Sequence, residues 1–462
     1  MQPCLSGVCK PLDLWLSVAR LNLFNNHYRM KLRYSITMCC ALLACTLQGL
    51  AQEHPLLEAY RAQVQAYSPD LRAAEHAVGA SDAARQMARA DFLPKLSGGA
   101  NFNYTGEPLQ LDVNVPGTDD VLSFEGRNTK YGASLNLSQP LYTGGALQAG
   151  YDKARGEDQI ARQEVRRVTN DLRYEADVRY WNRVAQCELV SVADRYRTSV
   201  AQLVAVVRER VELEYTDRND LLMAEVRLND ADYRSERARN EAEVARLSLN
   251  ALAGIPSGEQ ILTDTLVAVP SLDGLSFQVE DALSRRPEMQ MAETNIGVQQ
   301  SVARMANARY LPSLSVGVDG NYSSPGYDFR ADLDPNYSVY AKLSVPIFEW
   351  GKRRHTRNKG RYQVDIARER CMQVADGLRL EVETARCNYQ QAMEQVRLTE
   401  SSLRKAAESE TLALDKYREG SVSIVEVINA QLYHLEAQQN HIRSKLNACL
   451  AKSALQRACG EG

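Results

Sequence analysis

Residues 92–97 read FLPKLS, and residues 310–315 repeat that pattern as YLPSLS, 218 positions later. A second match pairs SQPLY at 138–142 with SVPIF at 344–348, at an offset of 206. Around these matches each copy has the same predicted order: a helix, a strand hairpin, a long helix and a return helix. A repeat of this size indicates a duplicated half-molecule rather than a short solenoid unit. Because each copy has only two strands, neither half is expected to form a stable sheet alone.

Four segments alternate apolar residues with small or polar ones at period two, the pattern of strands with two different faces. They lie at about 95–105, 131–140, 313–323 and 337–346, and polar loops are predicted between them. One interpretation is an antiparallel sheet with one face on a core and the other in water. The other is a transmembrane β-barrel, favoured by strands of about ten residues and by aromatic residues near their ends. Those aromatic residues are Tyr104, Tyr131, Tyr142, Tyr322, Tyr337, Phe348 and Trp350.

Four strands are too few for a membrane barrel, since the smallest such barrels use about eight. An open sheet edge in lipid would also leave backbone groups unpaired, at a high cost in free energy. If the sheet lies in a membrane, copies of the chain must therefore share one barrel. The barrel interpretation thus predicts an oligomer.

Two stretches without proline, at about 150–213 and 350–418, predict helices that are each roughly 100 Å long at 1.5 Å per residue. In the second stretch, apolar or small residues recur at alternating steps of four and three, the heptad pattern of helices packed side by side. Return helices are predicted at about 218–253 and 423–458. The second turn between long and return helix has Gly420, where a helix C-terminus favours glycine, whereas the first turn has none.

Composition excludes several classes of function. A net charge of -3 gives no electrostatic basis for binding nucleic acid. The ten cysteines show no CxxC pair and no cysteine–histidine cluster, so neither a metal site nor a disulfide framework is expected. His434 and His441 have no third ligand nearby and are interpreted as ordinary surface histidines. With no nucleophile–base set and no phosphate-binding loop, the sequence predicts neither an enzyme nor a cofactor.

The N-terminal 51 residues read as a leader. Basic residues at 30–33, an apolar stretch at 36–47 and small residues at 49–51 predict a signal peptide cleaved before Gln52, with 1–29 an over-called start. Lipoprotein processing, which would acylate Cys45 and anchor the chain to lipid, stays open as an alternative. The mature chain is then divided by the following boundaries. They are 52–256 for the first repeat, 257–277 for an irregular connector, 278–458 for the second repeat and 459–462 for a tail.

Several short motifs, in order and at duplicated spacing, resemble the TolC-like outer-membrane efflux family. They are SPDL at 68–71 and RPEM at 286–289, FLP at 92–94 and YLP at 310–312, LAGIP at 252–256, and YREG at 417–420 followed by SIVEVINAQ at 423–431. The resemblance covers nearly the whole mature chain. It implies a homotrimer in which a shared β-barrel of twelve strands in the outer membrane continues into a periplasmic coiled-coil barrel of twelve helices. It also implies a passive duct that a periplasmic adaptor opens together with an inner-membrane pump, without covalent chemistry.

The resemblance assigns expected roles to residues at the helix tips. Glu426 matches an acidic constriction position, and Asn429 stands where the family has a second acidic residue. Tyr417 and Asp220 match partners in a hydrogen bond that latches the closed tip, while the second link of that latch falls on Val422 and Asn219 and is expected to be absent. Adaptor contact is expected at the two tip turns. Those turn residues are Gly420, Ser421, Val422, Tyr215, Thr216 and Asp217.

Two other functions compete with an export duct. A periplasmic coiled-coil scaffold without a pore would explain the helices but not the hairpins, and it predicts a soluble protein after export. An enzyme is disfavoured because the chain has no recognisable catalytic set.

Overall fold

The computed structural model describes residues 54–108, 110–114, 116–117, 121–271, 278–325 and 332–461. The predicted leader, its cleavage site and Cys45 lie outside these residues, as does the end of the predicted connector. The chain divides into two compact units, Met1–Ala62 and Gln63–Gly462. A first helix, α1 (Pro55–Tyr67), begins in the former, and all later elements belong to the latter.

The first repeat contains two long strands, a long helix and a return helix, with a small hairpin between the strands. Its elements are α2 (Pro69–Ala90), β1 (Lys95–Tyr104), β2 (Gln110–Asn114), β3 (Val121–Glu125), β4 (Thr129–Tyr142), α3 (Ala146–Glu212) and α4 (Arg218–Ala253). The second repeat has the same order without the small hairpin. Its elements are α5 (Val279–Arg285), α6 (Pro287–Ala308), β5 (Ser313–Ser324), β6 (Asp334–Ser344), α7 (Lys352–Arg418) and α8 (Ile424–Ala458).

The four long strands form one antiparallel sheet in the order β1-β4-β5-β6, so the two repeats meet where β4 pairs with β5. The register places the apolar residues of all four strands on one face, as in the pairs Leu96–Leu137 and Leu314–Leu343. This face is open: the exposed fraction is 70% for Leu96 and 65% for Leu343. Among the described residues no core covers Leu96 or Leu343, which contradicts the interpretation of a sheet with its apolar face on a core.

The predicted polar loop at 106–130 is partly wrong, because it contains the antiparallel hairpin of β2 and β3. Leu111 and Val113 flank Asp112 in β2, and Leu122 and Phe124 flank Ser123 in β3. This alternation is only five residues long in each strand and lies among glycine, proline and aspartate, which masked it in the sequence. The hairpin makes the first strand connection longer than the second.

The two long helices have 67 residues each and start at equivalent places, after Gly145 and Gly351, which both have a positive φ. Within the described part of the chain, none of the helices is both long enough and apolar enough to cross a membrane.

Helix α6 of the second repeat packs against the long helices of both repeats at positions where only glycine fits. A Cβ on Gly156 of α3 would lie 2.6 Å from Cγ2 of Val298, and one on Gly360 of α7 would lie 2.8 Å from Cβ of Ala303. Both neighbours belong to α6. Close approach of helices at small residues therefore joins the two copies into one helical body.

The part of the connector that the structure describes is tied to the long helices. Glu188 of α3 forms an ion pair with Lys445 of α8 at 2.9 Å, and each side chain is only 11% exposed. The same carboxylate accepts a hydrogen bond from the backbone N–H of Val267 at 3.0 Å. The hydroxyl of Tyr180 donates to Asp264 at 3.0 Å, and burial raises the pKa of this tyrosine. These contacts fix the connector at mid-length of α3.

Candidate gate at the helix tips

One apolar cluster joins the tips of all four long and return helices. It contains Leu203, Val204 and Val207 of α3, Ala224 of α4, Tyr417 of α7, and Ile424, Val427 and Ile428 of α8. Each of these side chains is at most 7% exposed. The two repeats therefore share one core at the end of the molecule where sequence analysis placed the gate.

Arg210, which the sequence analysis did not single out, links the two repeats at this tip. Its guanidinium donates a hydrogen bond to the carbonyl oxygen of Tyr417 at 2.6 Å, and its Cζ lies 4.9 Å from the centre of the Tyr417 ring. Its Nε is buried without a hydrogen-bond partner in the described chain. The sequence contained a clue to this residue. A heptad stripe runs at steps of four and three through Leu203, Val207 and Arg210, and a charged residue in such a stripe is unusual.

The hydrogen bond expected between Tyr417 and Asp220 is not formed in this structure. The Tyr417 ring is buried in the tip cluster, and its hydroxyl has no hydrogen-bond partner among the described residues. Asp220 instead accepts a hydrogen bond from the hydroxyl of Thr216. Burial raises the pKa of Tyr417, an effect that nearby Asp220 reinforces and Arg210 opposes. The Arg210 contact is therefore the polar link between the repeats that the structure shows at this tyrosine.

The first tip turn reverses the chain without glycine. Glu214 takes the left-handed conformation with φ of 60°, the role that glycine usually fills after a helix. Asp217 then caps α4 by accepting a hydrogen bond from the backbone N–H of Asn219 at 3.2 Å. Tyr215 is 73% exposed and Asp217 is exposed, while Thr216 is half-buried in its contact with Asp220.

The second tip turn uses Gly420, with φ of 79°. The backbone N–H of Ser421 donates to the carbonyl oxygen of Lys416 at 2.9 Å, which satisfies the end of α7. Gly420 and Ser421 are exposed, whereas Val422 is half-buried and packs against the tip cluster. Of the six predicted contact residues, Val422 and Thr216 thus point at least partly inward.

Glu426 and Asn429 lie one turn apart on the exposed side of α8, opposite the buried Val427 and Ile428. The same side continues to Tyr433, which is 63% exposed. The spacing of three and then four residues keeps these side chains on one stripe along the helix. In the single chain this stripe faces away from the tip core, so it is free to face a pore or a neighbouring copy.

A largely buried polar network lies next to the tip cluster, and it corrects the interpretation of His434 as a surface histidine. Its Nδ1 is hydrogen-bonded to the carboxylate of Glu410 on α7, and the two side chains are only 21% and 15% exposed. Glu410 also accepts a hydrogen bond from Ser199 of α3 at 3.1 Å, and Gln431 of α8 donates to Ser199 at 2.9 Å. The network therefore joins α3, α7 and α8.

His441 is also partly buried rather than on the surface. Its Nδ1 is 3.3 Å from the hydroxyl of Thr399, and burial lowers its pKa, aided by Lys445. Among the described residues, no group of three or more side chains could hold a metal ion. The described cysteines are free; Cys371, Cys449 and Cys459 are buried, and Cys387 is exposed.

The family model described as outer membrane efflux protein matches residues 60–255 and 279–461 of the chain. The chain is similar to the pyoverdine export outer membrane protein OpmQ of Pseudomonas putida, with 23% identity over 408 residues, 86% of this chain and 83% of that protein. It is 25% identical to the toluene efflux pump outer membrane protein TtgI, also of Pseudomonas putida, over 85% of this chain and 82% of that protein. It is 24% identical to the cation efflux system protein CusC of Escherichia coli, over 78% of this chain and 77% of that protein.

Solved structures share the fold. A crystal structure of CusC matches with a TM-score of 0.74 at 19% identity, covering 89% of this chain and 93% of that one. The outer-membrane channel OprN matches with a TM-score of 0.75 at 18% identity, covering 88% of this chain and 90% of that one. At these identities the likeness concerns the fold alone.

Proposed function

Since the chain belongs to the outer membrane efflux protein family, we propose that it is the outer-membrane channel of a tripartite export system, opened through a periplasmic adaptor and an inner-membrane pump. The family match confirms the resemblance read from the short motifs, and it places the protein in the outer membrane with a periplasmic portion. The relatives are named as export or efflux proteins rather than enzymes. They are named for pyoverdine, toluene and cations, so we propose a duct for small molecules without choosing among these cargoes.

One observation carries this proposal: the sheet has an open apolar face and two outer edges. In the described chain β1 and β6 each pair on one side only, and most of the large side chains on the apolar face are exposed, although Leu314 and Val316 of β5 are half-buried. A lipid environment would stabilise the exposed face, and pairing β1 of one chain with β6 of another would close the edges. Because the strands alternate in direction, β6 and a second copy's β1 meet antiparallel. Three copies would supply twelve strands, enough for a barrel.

The helices support the same assembly. α4 carries large apolar side chains that stay exposed in the single chain, including Val226 at 68% and Val244 at 58%. α7 also carries exposed apolar side chains, among them Leu380 at 69% and Leu398 at 53% exposure. Scattered single residues would need no explanation, but here they recur along helices that also carry a buried heptad stripe. We propose that they pack between copies in a tunnel of twelve helices.

At the tip, the proposed closed state depends on the link between repeats. Glu426 and Asn429 from three chains would surround the narrowest point, where the carboxylates attract cations. Arg210 would hold α7 to α3 through Tyr417, in place of the latch that is missing here. Untwisting α7 and α8 away from α3 and α4 would break this link. The adaptor would touch the exposed turn residues Gly420, Ser421, Tyr215 and Asp217.

Membrane fractionation separates this proposal from a pore-free periplasmic scaffold. The expressed full chain is expected to sediment with outer membrane and to require detergent for extraction, whereas a scaffold would remain in the soluble periplasmic fraction. A soluble, monomeric protein would overturn the channel proposal.

A photocrosslinking residue at position 421 tests the tripartite part. It is expected to capture an adaptor of a pump system in living cells. A matched probe at position 376, exposed on α7 well away from the tip, is expected to capture none. Equal capture at both positions would refute contact at the tip.

A further inference from the structure

The first three turns of α7 form a strongly basic surface. Six cationic side chains occur between positions 352 and 361, and all are exposed: Lys352, Arg353, Arg354, Arg357, Lys359 and Arg361. Lys352 lies 4.0 Å from Glu349. The other five have no ion-pair partner among the described residues. This basic segment therefore has a large excess of uncompensated positive charge.

An apolar wall stands beside the basic segment. Ile347 is 94% exposed, Phe348 is 70% exposed and Trp350 is 89% exposed, and the two aromatic rings contact edge to face at 5.2 Å. An open cleft of about 870 Å³ lies between the wall and the helix. Its lining includes the apolar or aromatic residues Tyr310, Ile347 and Phe348 and the cationic residues Arg354, Arg357 and Arg361. The cleft thus presents apolar and cationic groups together.

The wall follows directly after the end of β6 at Ser344. The apolar face of the sheet uses the odd-numbered residues of β6, among them Val339 and Leu343, and in the sequence the odd series runs on through Val345 to Ile347. The basic segment begins five residues after Ile347. A surface that changes from apolar through aromatic to cationic matches the chemistry of a bilayer boundary, with acyl chains on one side and head groups on the other.

The basic segment is not required by the fold, because the first repeat builds the same place without it. α3 begins at Ala146, the position equivalent to Lys352 at the offset of 206, and its first cationic side chain is Lys153. Lys153 is paired with Glu157 at 2.8 Å. Cations at the start of a helix are also disfavoured by the helix dipole, and α7 has no acidic residue in its first turn to offset them. The charge therefore needs an explanation outside the chain.

We propose that the basic segment binds the phosphate head groups of anionic phospholipids in the periplasmic leaflet of the outer membrane. Arg354, Arg357 and Arg361 contact the phosphates, for which guanidinium groups have a matching geometry. Ile347, Phe348 and Trp350 lie at the level where head groups meet acyl chains. This inference rests on the proposed function, since it uses the placement of the sheet in the membrane.

The test measures lipid retention by the purified full chain. The protein is reconstituted in liposomes of phosphatidylethanolamine with or without phosphatidylglycerol, extracted, and analysed by native mass spectrometry for bound lipid. The wild type is expected to retain phosphatidylglycerol in preference to phosphatidylethanolamine. Each basic residue near an anionic membrane surface strengthens the binding of the protein to that surface about fivefold. The triple variant Arg354→Gln, Arg357→Gln, Arg361→Gln should therefore lose most of this preference.

Two further variants keep the result interpretable. The matched control Arg368→Gln, Arg379→Gln, Arg386→Gln removes the same charge from α7 at residues that each have a carboxylate three positions earlier, and it should retain wild-type preference. The triple variant Arg354→Lys, Arg357→Lys, Arg361→Lys keeps the charge and should retain most of the preference for phosphatidylglycerol. Equal loss in the control, or no loss in the Gln variant, would overturn the inference.

Channel conductance separates the two levels of failure. A wild-type protein that conducts in planar bilayers but shows no lipid preference would refute the lipid site and leave the proposed function standing. A protein that inserts into neither liposomes nor planar bilayers would overturn both the lipid site and the proposed function.

Discussion

The contact between Arg210 and Tyr417 gives the sharpest prediction for the gate. Arg210→Met removes the guanidinium but keeps an unbranched side chain of similar length, so packing around the methylene groups is largely preserved. The variant loses a charged hydrogen bond of 2.6 Å, worth about 1.5–3 kcal/mol. It also loses a cation–π contact of 4.9 Å, worth about 0.5–1 kcal/mol. Relief of the unpaired Nε offsets part of this, which leaves about 2 kcal/mol per chain.

If opening breaks this contact, a loss of about 2 kcal/mol raises the ratio of open to closed tips roughly 30-fold per chain. The assay is the leak conductance of purified channels in planar bilayers without adaptor. Arg208→Met is the matched control, two residues away on the same helix. Arg208 pairs with Glu225 at 3.2 Å, but both side chains are about half exposed, and such pairs contribute little. Equal leak from the two variants would refute a role of Arg210 in closure.

Three further predictions concern other residues. Tyr417→Phe is expected to leave the leak conductance unchanged, because the hydroxyl has no partner among the residues that the structure describes; a clear increase would show that the latch with Asp220 forms in the assembled channel. Glu426→Ala should lower the cation selectivity and the divalent-cation block of channels in planar bilayers, with Glu436→Ala as control; unchanged selectivity would remove Glu426 from the constriction. Gly156→Ala should lower the unfolding temperature, since its Cβ would lie 2.6 Å from Val298, at a cost of about 1–3 kcal/mol; Gly150→Ala, whose nearest neighbour is 3.9 Å away, should cost far less, and equal shifts would contradict the packing argument.

Local patterns located the main elements because each of them has a long, uniform signal. The return helix predicted at 218–253 has the bounds of α4, and the long helix predicted at 150–213 starts four residues later than α3 and ends one residue after it. In helices of this length, a single residue that departs from the helical pattern does not obscure the pattern. The short β2 and β3 strands give too few alternations to stand out from a loop rich in turn residues. The domain boundaries read from the sequence and the gate roles carried over from the family remain proposals.

The contacts of the gate could not be read in the same way. Arg210 and Tyr417 are 207 positions apart, and their contact depends on how two separate helix ends come together. The partners of His434 were equally hidden, because its carboxylate neighbour Glu410 lies on a different helix. A charged or polar residue in an otherwise apolar heptad position was the available clue in the case of Arg210. Such clues show that a partner is required without showing which one.

The position of α6 has a consequence for how the chain acquires its structure. The surface of α3 around Gly156 is completed by Val298 and Thr294 of the second repeat, and β4 gains its second neighbour from β5. The first half is thus synthesised before the groups that complete it exist. Pairings between such distant segments form slowly, and unpaired strands are prone to aggregate meanwhile. We therefore expect that the halves, expressed as separate chains, fold only when mixed, and that the exported chain depends on periplasmic chaperones until its C-terminal half has arrived.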